Sequence, residues 1–146
     1  MLRSLSIPAE AAAMSRVLDF VAAFAAEHQL PHEEVARVSI VLEELLTNTV
    51  KYGYPASDGR GCVEISLELV EAQLTIQFID DACEFDPFAA ALPEVSDDAD
   101  SRPVGGLGLL VVCALSDERR YRRDAGRNII HLIRKVSAPP KPKSST

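Results

Sequence analysis

The chain has 146 residues, 47% of them hydrophobic, which is enough to build the buried core of one globular domain. Lysine and arginine together number 15 and aspartate and glutamate 22, so the formal net charge is −7 at pH 7. Such an acidic surface argues against nucleic acid or an anionic membrane as a direct partner, although a local group of backbone N–H donors can still bind a phosphate. Three widely spaced cysteines and the lack of an apolar leader predict a reduced, cytoplasmic protein.

The N-terminal third of the chain predicts a short edge strand followed by two helices. Residues 2–7 alternate between polar and apolar types and stop at Pro8, which favours a strand at the edge of a sheet. From there to His28, apolar residues recur at helical spacing and define a core-facing stripe of Met14, Val17, Leu18, Val21, Phe24 and Ala25. A second helix is predicted from Pro31 to Gly53, with an apolar face of Val35, Val38, Leu42, Leu45, Leu46 and Thr49.

Two pairs of strands are predicted in the remainder of the chain. Apolar residues alternate with polar ones over 63–69 and again over 74–78, which indicates a hairpin with one wet face and with Asp80 at its end. Two further strands are expected around 118–122 and 128–136, joined by a turn that contains glycine. Early helices beside a largely antiparallel sheet define an α+β protein, a two-layer α/β sandwich.

The segment between these two pairs of strands differs in composition. Residues 86–104 are rich in Asp, Pro, Ser and Ala, and we expect a mobile loop with one helical turn. A glycine-rich stretch then leads into a helix over 109–115. The C-terminal residues 137–146 contain repeated prolines and are expected to be a disordered tail, which leaves 1–136 as the folded domain.

Three polar side chains of the second predicted helix could carry chemistry. Glu44, Asn48 and Lys51 are spaced by four and then three residues, so they share one helix face. On spacing alone, a solvated helix side is the more common explanation of such a stripe. As a functional site, the Asn48 oxygen suits Mg²⁺, the Glu44 carboxylate could accept a proton from an attacking hydroxyl, and Lys51 could meet phosphate charge.

Asp80 is the second candidate, because it follows a strand and begins a polar stretch. A polar exit from a strand is common and needs no function. An ionised aspartate, however, accepts a hydrogen bond from the exocyclic amine of adenine and repels the carbonyl that guanine has at the same position. The residue therefore gives a physical reason for binding ATP rather than GTP.

The glycines at 105, 106 and 108 are the third candidate, because they open a helix. Glycine lets the backbone approach a ligand closely, and a helix N-terminus presents free N–H groups to phosphates. The Gly-rich stretch alone is a weak signal, and it lacks the Lys-Ser/Thr of a P-loop.

In order and spacing, these three elements resemble the N, G1 and G2 boxes of the GHKL ATPase superfamily, which includes gyrase, Hsp90, histidine kinases and MutL. Within it, residues 10–135 are most similar to the small anti-sigma-factor serine kinases of the RsbW and SpoIIAB type. The matching motifs are Glu44-x-x-x-Asn48, Asp80-x-x-x-x-Phe85-Asp86-Pro87, Gly105-Gly106-Leu107-Gly108-Leu109 and the ending Tyr121–Asn128.

The resemblance implies a Bergerat-type, histidine-kinase-like ATPase fold with a mostly antiparallel mixed sheet, which binds ATP and Mg²⁺ under a flexible lid at 88–104. Glu44 would be the general base toward a protein serine, and Asn48 would hold Mg²⁺. It also implies three partners: a sigma factor, an anti-anti-sigma factor of the STAS fold, and a second copy of the chain in a homodimer. The residues implied in nucleotide binding are Asn48, Lys51, Asp80, Ala82, Phe85, Arg102, Gly105, Gly106, Leu107, Gly108 and Leu109.

The chain departs from the family pattern at Ala82, where the G1 box usually has glycine. If the backbone there required a positive φ, alanine would cost on the order of 1 kcal/mol. This departure favours an alternative hypothesis, in which the protein is a non-catalytic binding module that sequesters a regulator and binds nucleotide weakly or not at all. A free-standing histidine-kinase catalytic domain is a third hypothesis. It is less favoured, because no helical pair with a phospho-accepting histidine is present.

Overall fold

The structure is a computed structural model that describes residues 2–55, 61–91 and 106–136. Its helices and strands follow one another in an order close to that predicted. They are β1 (Leu2–Pro8), a 3-10 turn (Ala11–Ala13), α1 (Met14–His28), α2 (His32–Tyr52), β2 (Cys62–Val70), β3 (Gln73–Asp80), α3 (Pro87–Ala91), α4 (Gly106–Ala114), β4 (Glu118–Asp124) and β5 (Arg127–Lys135).

The five strands form a single sheet in the order β1-β2-β3-β5-β4. All four described pairings are antiparallel, so the sheet is more uniform than the mixed sheet that was predicted. At the end of the central strand β3, Asp80 pairs with Val63 of β2 on one side and with Asn128 of β5 on the other. The register therefore places two polar side chains next to each other on the face that is otherwise apolar.

The helices α1 and α2 pack against one face of this sheet and confirm the α+β, two-layer class. Alternate residues of β2, β3 and β5 meet the apolar faces of both helices in one continuous core. The α1 stripe is buried at Val17, Val21, Phe24 and Ala25, whereas Leu18 is 39% exposed. The prediction for Leu18 was wrong, because helical spacing alone does not mark where the buried stripe ends.

The segment between the two strand pairs is described only in part. The helical turn expected within 86–104 is α3, and the remainder of that segment lies outside the described residues, as does the tail at 137–146. The helix α4 begins at Gly106, three residues earlier than predicted, so Gly106 and Gly108 are helical rather than part of a preceding loop. Among the described residues, no helix has both the length and the apolar character needed to cross a bilayer.

A buried ion pair joins the two layers at the end of the sheet away from Asp80. The Arg134 guanidinium on β5 donates to both oxygens of Glu34 on α2, at 2.8 and 2.9 Å, and Arg37 donates to the same carboxylate. Glu34 is 2% exposed. The hydrogen bond from Arg134 holds the pKa of Glu34 below its ordinary value, against the opposing effect of burial.

Candidate functional site

A cavity of about 130 Å³ opens between the C-terminal half of α2, the end of β3 and the start of β5. The loop that follows β3 and one residue of α4 complete its wall. Its lining residues are Leu45, Asn48, Thr49, Tyr52, Gly53, Asp80, Ala82, Cys83, Glu84, Phe85, Pro87, Leu109, Asn128 and Ile130. Apolar walls with a few converging polar groups are typical of a small-molecule site.

Asp80 is the buried polar group at the centre of this cavity. It is 6% exposed, and three donors fix its carboxylate. Oδ1 accepts from the backbone N–H of Ala82 at 3.1 Å and from Nδ2 of Asn128 at 2.8 Å, and Oδ2 accepts from the Thr49 hydroxyl at 2.8 Å. Both carboxylate oxygens therefore have a hydrogen-bond donor, as a buried carboxylate requires.

The Asn128 side chain connects the start of β5 to the loop after β3. Its Nδ2 also donates to the carbonyl of Cys83 at 2.7 Å, and its Oδ1 accepts from the N–H of Phe85, the Tyr121 hydroxyl and the Arg123 guanidinium. The amide orientation is fixed, because a flip would turn the amine toward three donors. At 3% exposed, Asn128 has no access to bulk water.

The structure removes the strain anticipated at Ala82. Within the described residues, the only non-glycine positions with positive φ are Gln29, Glu71 and Ala125. Ala82 therefore has ordinary backbone geometry, and its buried methyl group packs beside Gly53, where a β-carbon would lie 2.7 Å away. The carbonyl of Gly53 also accepts from the N–H of Cys83 at 2.9 Å, so the end of α2 supports the loop directly.

The three polar residues of the predicted α2 stripe separate in the structure. Asn48 is half-buried and lines the cavity, whereas Lys51 is exposed and lies outside it. Glu44 does not line the cavity either. Its carboxylate lies against α4 at Gly108, where an added β-carbon would be only 1.9 Å from Oε2. Glycine at 108 is what allows a carboxylate to lie at the first turn of α4.

The other predicted site residues include some that line the cavity and some that do not. Phe85 and Leu109 line the cavity, the first 45% exposed and the second fully buried. Leu107 is 71% exposed and lies outside the cavity lining. Arg102 and Gly105 lie outside the described residues.

A second carboxylate, that of Asp81, anchors the loop after β3 on its outer side. The phenol of Tyr54 donates to Oδ1 of Asp81 at 2.5 Å, and the N–H of Cys62 donates to the same oxygen at 3.2 Å. Burial first, and then the bond to Asp81, raise the pKa of Tyr54 above its ordinary value of 10.0. Asp81 therefore joins Tyr54, just after α2, to Cys62, the first residue of β2, while Asp80 faces the cavity.

Sequence reasoning missed two residues of this cluster, Thr49 and Asn128. Thr49 was counted with the apolar face of α2, where its methyl group fits and its hydroxyl could be overlooked. Asn128 has the same strand parity as Ile130 and Leu132, so it is an inward-facing polar residue in an otherwise apolar pattern. That signal could have identified it, because buried amides require partners.

The cavity fits the base of a nucleotide better than it fits a metal held by protein ligands alone. Asp80 offers an oriented carboxylate acceptor between apolar walls, which suits a flat base with an amino group. Within residues 2–55, 61–91 and 106–136, no three His, Cys, Asp or Glu side chains converge as a metal site. A Mg²⁺ ion at Asn48 would take its other ligands from phosphate and water, as this ion often does.

The chain thus combines a sheet that has helices on one face with a buried aspartate beside a helix that carries asparagine. The sequence profile of the histidine kinase-like ATPase domain matches residues 7–134, and the chain belongs to that family. Among named relatives, it is 26% identical over 108 residues to the serine-protein kinase RsbW of Listeria monocytogenes, a match that covers 68% of this chain and 65% of that protein. The RsbW of Staphylococcus aureus is 25% identical over 103 residues, 67% of this chain and 64% of the relative. The match thus spans slightly less than two thirds of these relatives' length.

Solved structures agree on the fold. The RsbU and RsbW domains of a Mycobacterium tuberculosis protein align with a TM-score of 0.65 and 21% identity, covering 94% of this chain and 33% of that one. The histidine kinase domain of a blue-light-activated kinase from Erythrobacter litoralis aligns with a TM-score of 0.52 and 18% identity, covering 89% and 62%. The predicted histidine-kinase-like fold and the likeness to RsbW kinases are confirmed.

Proposed function

We propose that this chain is an ATP-dependent serine/threonine protein kinase that acts as an anti-sigma factor. It binds ATP with Mg²⁺, transfers the γ-phosphate to a serine of a STAS-type anti-anti-sigma factor, and sequesters a sigma factor. The relatives named as serine-protein kinases support the class of reaction. The observation that carries the proposal is the buried, fully oriented Asp80 carboxylate in an apolar cavity beside Asn48.

The chemistry follows from this arrangement. Asp80 accepts a hydrogen bond from the amino group of adenine. A guanine carbonyl at that position would place two acceptors against each other and would be repelled. Asn48 lies at the cavity wall, where its oxygen can ligate Mg²⁺ bound to phosphate. Glu44, against the first turn of α4, accepts the proton of the attacking hydroxyl. Bound ATP supplies the phosphoryl group, and the protein contributes positioning and charge.

Replacing Glu44 with glutamine tests the proposed base. Glu44→Gln should bind Mg-ATP with wild-type heat in calorimetry but lose transfer by on the order of 100-fold or more, because the amide cannot take a proton. Incubation with γ-labelled ATP and candidate STAS proteins measures the transfer. Glu43→Gln is the matched control, because Glu43 is exposed, precedes Glu44 on α2 and carries the same charge.

Three outcomes distinguish the hypotheses. Transfer that survives in Glu44→Gln would show that the base has been assigned wrongly. ATP binding without transfer to any STAS protein would favour the non-catalytic binding module. No binding heat at millimolar Mg-ATP from folded wild-type protein would refute the nucleotide site itself.

A further inference from the structure

The Asp80 carboxylate has few acceptor positions left for a ligand. A carboxylate offers about four lone-pair positions, two on each oxygen. Oδ1 already accepts from Ala82 N–H and Asn128 Nδ2, while Oδ2 accepts only from the Thr49 hydroxyl. Among the described contacts, the remaining acceptor position is therefore on Oδ2.

We propose that Asn128 is a positioning residue that gives this site its preference for adenine, because it occupies Oδ1 of Asp80 and leaves Oδ2 for the 6-amino group of the base. The inference rests on the proposed ATP site. It assigns Asn128 no contact with the nucleotide. The residue acts through Asp80 and through the loop that follows it.

The same side chain also fixes the wall against which the base would lie. Asn128 Nδ2 holds the carbonyl of Cys83 at 2.7 Å, and its Oδ1 holds the N–H of Phe85 at 3.2 Å. Arg123 supports this arrangement from β4, because its guanidinium donates both to the carbonyl of Ala82 at 2.7 Å and to Asn128 at 3.1 Å. Carbonyls of two consecutive loop residues are thus held by two side chains from one hairpin.

This bonding pattern makes Asn128 more than a packing residue. Its amide nitrogen donates to Asp80, and its amide oxygen accepts from three donors. The side chain therefore fixes both the rotation of the Asp80 carboxylate and the distance between that carboxylate and the loop after β3. A leucine of similar size would fill the space but would leave Asp80 Oδ1 with the Ala82 N–H as its one remaining described donor. The carboxylate could then turn, and the base amine would no longer meet an oriented acceptor.

The test compares ATP with purine riboside triphosphate, which lacks the 6-amino group, by calorimetric titration of the full chain with Mg²⁺. The wild type should bind ATP more tightly than the analogue by a factor on the order of 10- to 100-fold, because this is the usual contribution of a hydrogen bond to a charged acceptor. In Asn128→Leu the two affinities should become nearly equal, through loss of ATP affinity rather than gain for the analogue. Thermal unfolding and circular dichroism verify the fold of each variant.

Asn128→Asp provides a second variant if the leucine does not fold. It keeps an acceptor for Phe85 and Tyr121 and can pair with Arg123, but it removes the donor to Asp80. Its preference for ATP should also fall by at least tenfold. Glu34→Gln is the control, because it breaks a buried pair at the other end of the sheet and should lower stability without changing the ratio of affinities.

The outcomes separate this inference from the proposed function. A wild-type chain that binds ATP with preference, while either folded Asn128 variant keeps the full preference, would overturn the role of Asn128 alone. A loss of preference in Glu34→Gln as large as in Asn128→Leu would do the same, because it would show a general effect of stability. A wild-type chain that binds neither nucleotide would refute both.

Discussion

Tyr54 and Asp81 form a short contact at the outer side of the cavity loop, and its chemistry depends on the proton of the phenol. The protonated phenol donates to the carboxylate, whereas a phenolate would place two negative charges together. Because the folded state holds the pKa of Tyr54 above 10.0, the folded chain keeps a proton that the unfolded chain loses in alkali. The stabilisation is therefore complete below the unfolded-state pKa and decreases as the pH rises above it.

Tyr54→Phe tests this contact. At pH 7 we expect the free energy of unfolding to fall by about 1 kcal/mol, the usual contribution of one hydrogen bond. Above about pH 10 the wild type should lose this advantage, because its unfolded state is stabilised by ionisation. Urea denaturation across this range measures the difference, with Tyr52→Phe as control, since that phenol is 53% exposed. A difference that stays constant with pH would contradict the proton-linked contact.

At the scale of elements, the contact between α2 and α4 depends on the absence of a side chain at Gly108. A β-carbon there would lie 1.9 Å from Oε2 and 2.7 Å from Cδ of Glu44. The obstructing atoms belong to the end of a flexible side chain, so the helices can keep their packing while the carboxylate moves. The fold and the proposed base thus respond differently to the same substitution.

Gly108→Ala should separate stability from activity. Alanine favours a helix over glycine by up to about 1 kcal/mol, so we expect the midpoint of thermal unfolding to stay the same or rise. Displacement of Glu44 should reduce phosphotransfer by on the order of 100-fold with ATP binding retained. Leu110→Ala on the same helix should keep the wild-type rate, because its side chain is 40% exposed and does not line the cavity. Unchanged transfer in Gly108→Ala would show that the position of Glu44 is not critical.

The elements themselves were largely predictable, because periods of 2 and 3.6 residues report local geometry. The β2–β3 hairpin and the helix ending before Gly53 follow directly from such patterns. What the patterns could not supply was pairing across the chain. The contact of Asn128 with Asp80 joins residues 48 positions apart, and that of Thr49 with Asp80 joins residues 31 apart. Two motif residues, Asn48 and Asp80, line the cavity, and the register of β3 and β5 places Asn128 next to Asp80.

For the whole molecule, the Glu34–Arg134 pair links the two layers across 100 residues of sequence. Arg134 also donates to the carbonyl of Leu115, after the end of α4, so three parts of the chain meet at one guanidinium. The pair was not predicted, because charged side chains are rarely buried unless they are paired. Because the pair holds the pKa of Glu34 below 4.5, it stabilises the folded state above that pH and loses effect as the pH falls through the depressed value.

Glu34→Gln should lower the free energy of unfolding at pH 7 by about 2 kcal/mol, because the amide removes the anionic partner of Arg134 and one of its two acceptor oxygens. The difference from wild type should shrink as the pH falls below 4.5. Urea denaturation at neutral and acid pH gives both values. Glu27→Gln, which breaks the exposed pair with Arg3, should change stability little. A pH-independent difference for Glu34→Gln would rule out the ionised pair as its cause.

The close approach of Gly53 and Ala82 has a consequence for how this sequence can vary. A β-carbon at 53 would lie 2.5 Å from the backbone oxygen of Thr49, so glycine is required there by the end of α2 itself. Because position 53 has no side chain, the space beside position 82 stays open for the Ala82 methyl group. The methyl group of Ala82 fills the space that Gly53 leaves open at the end of α2, so a side chain at either of these two positions limits the size of the other.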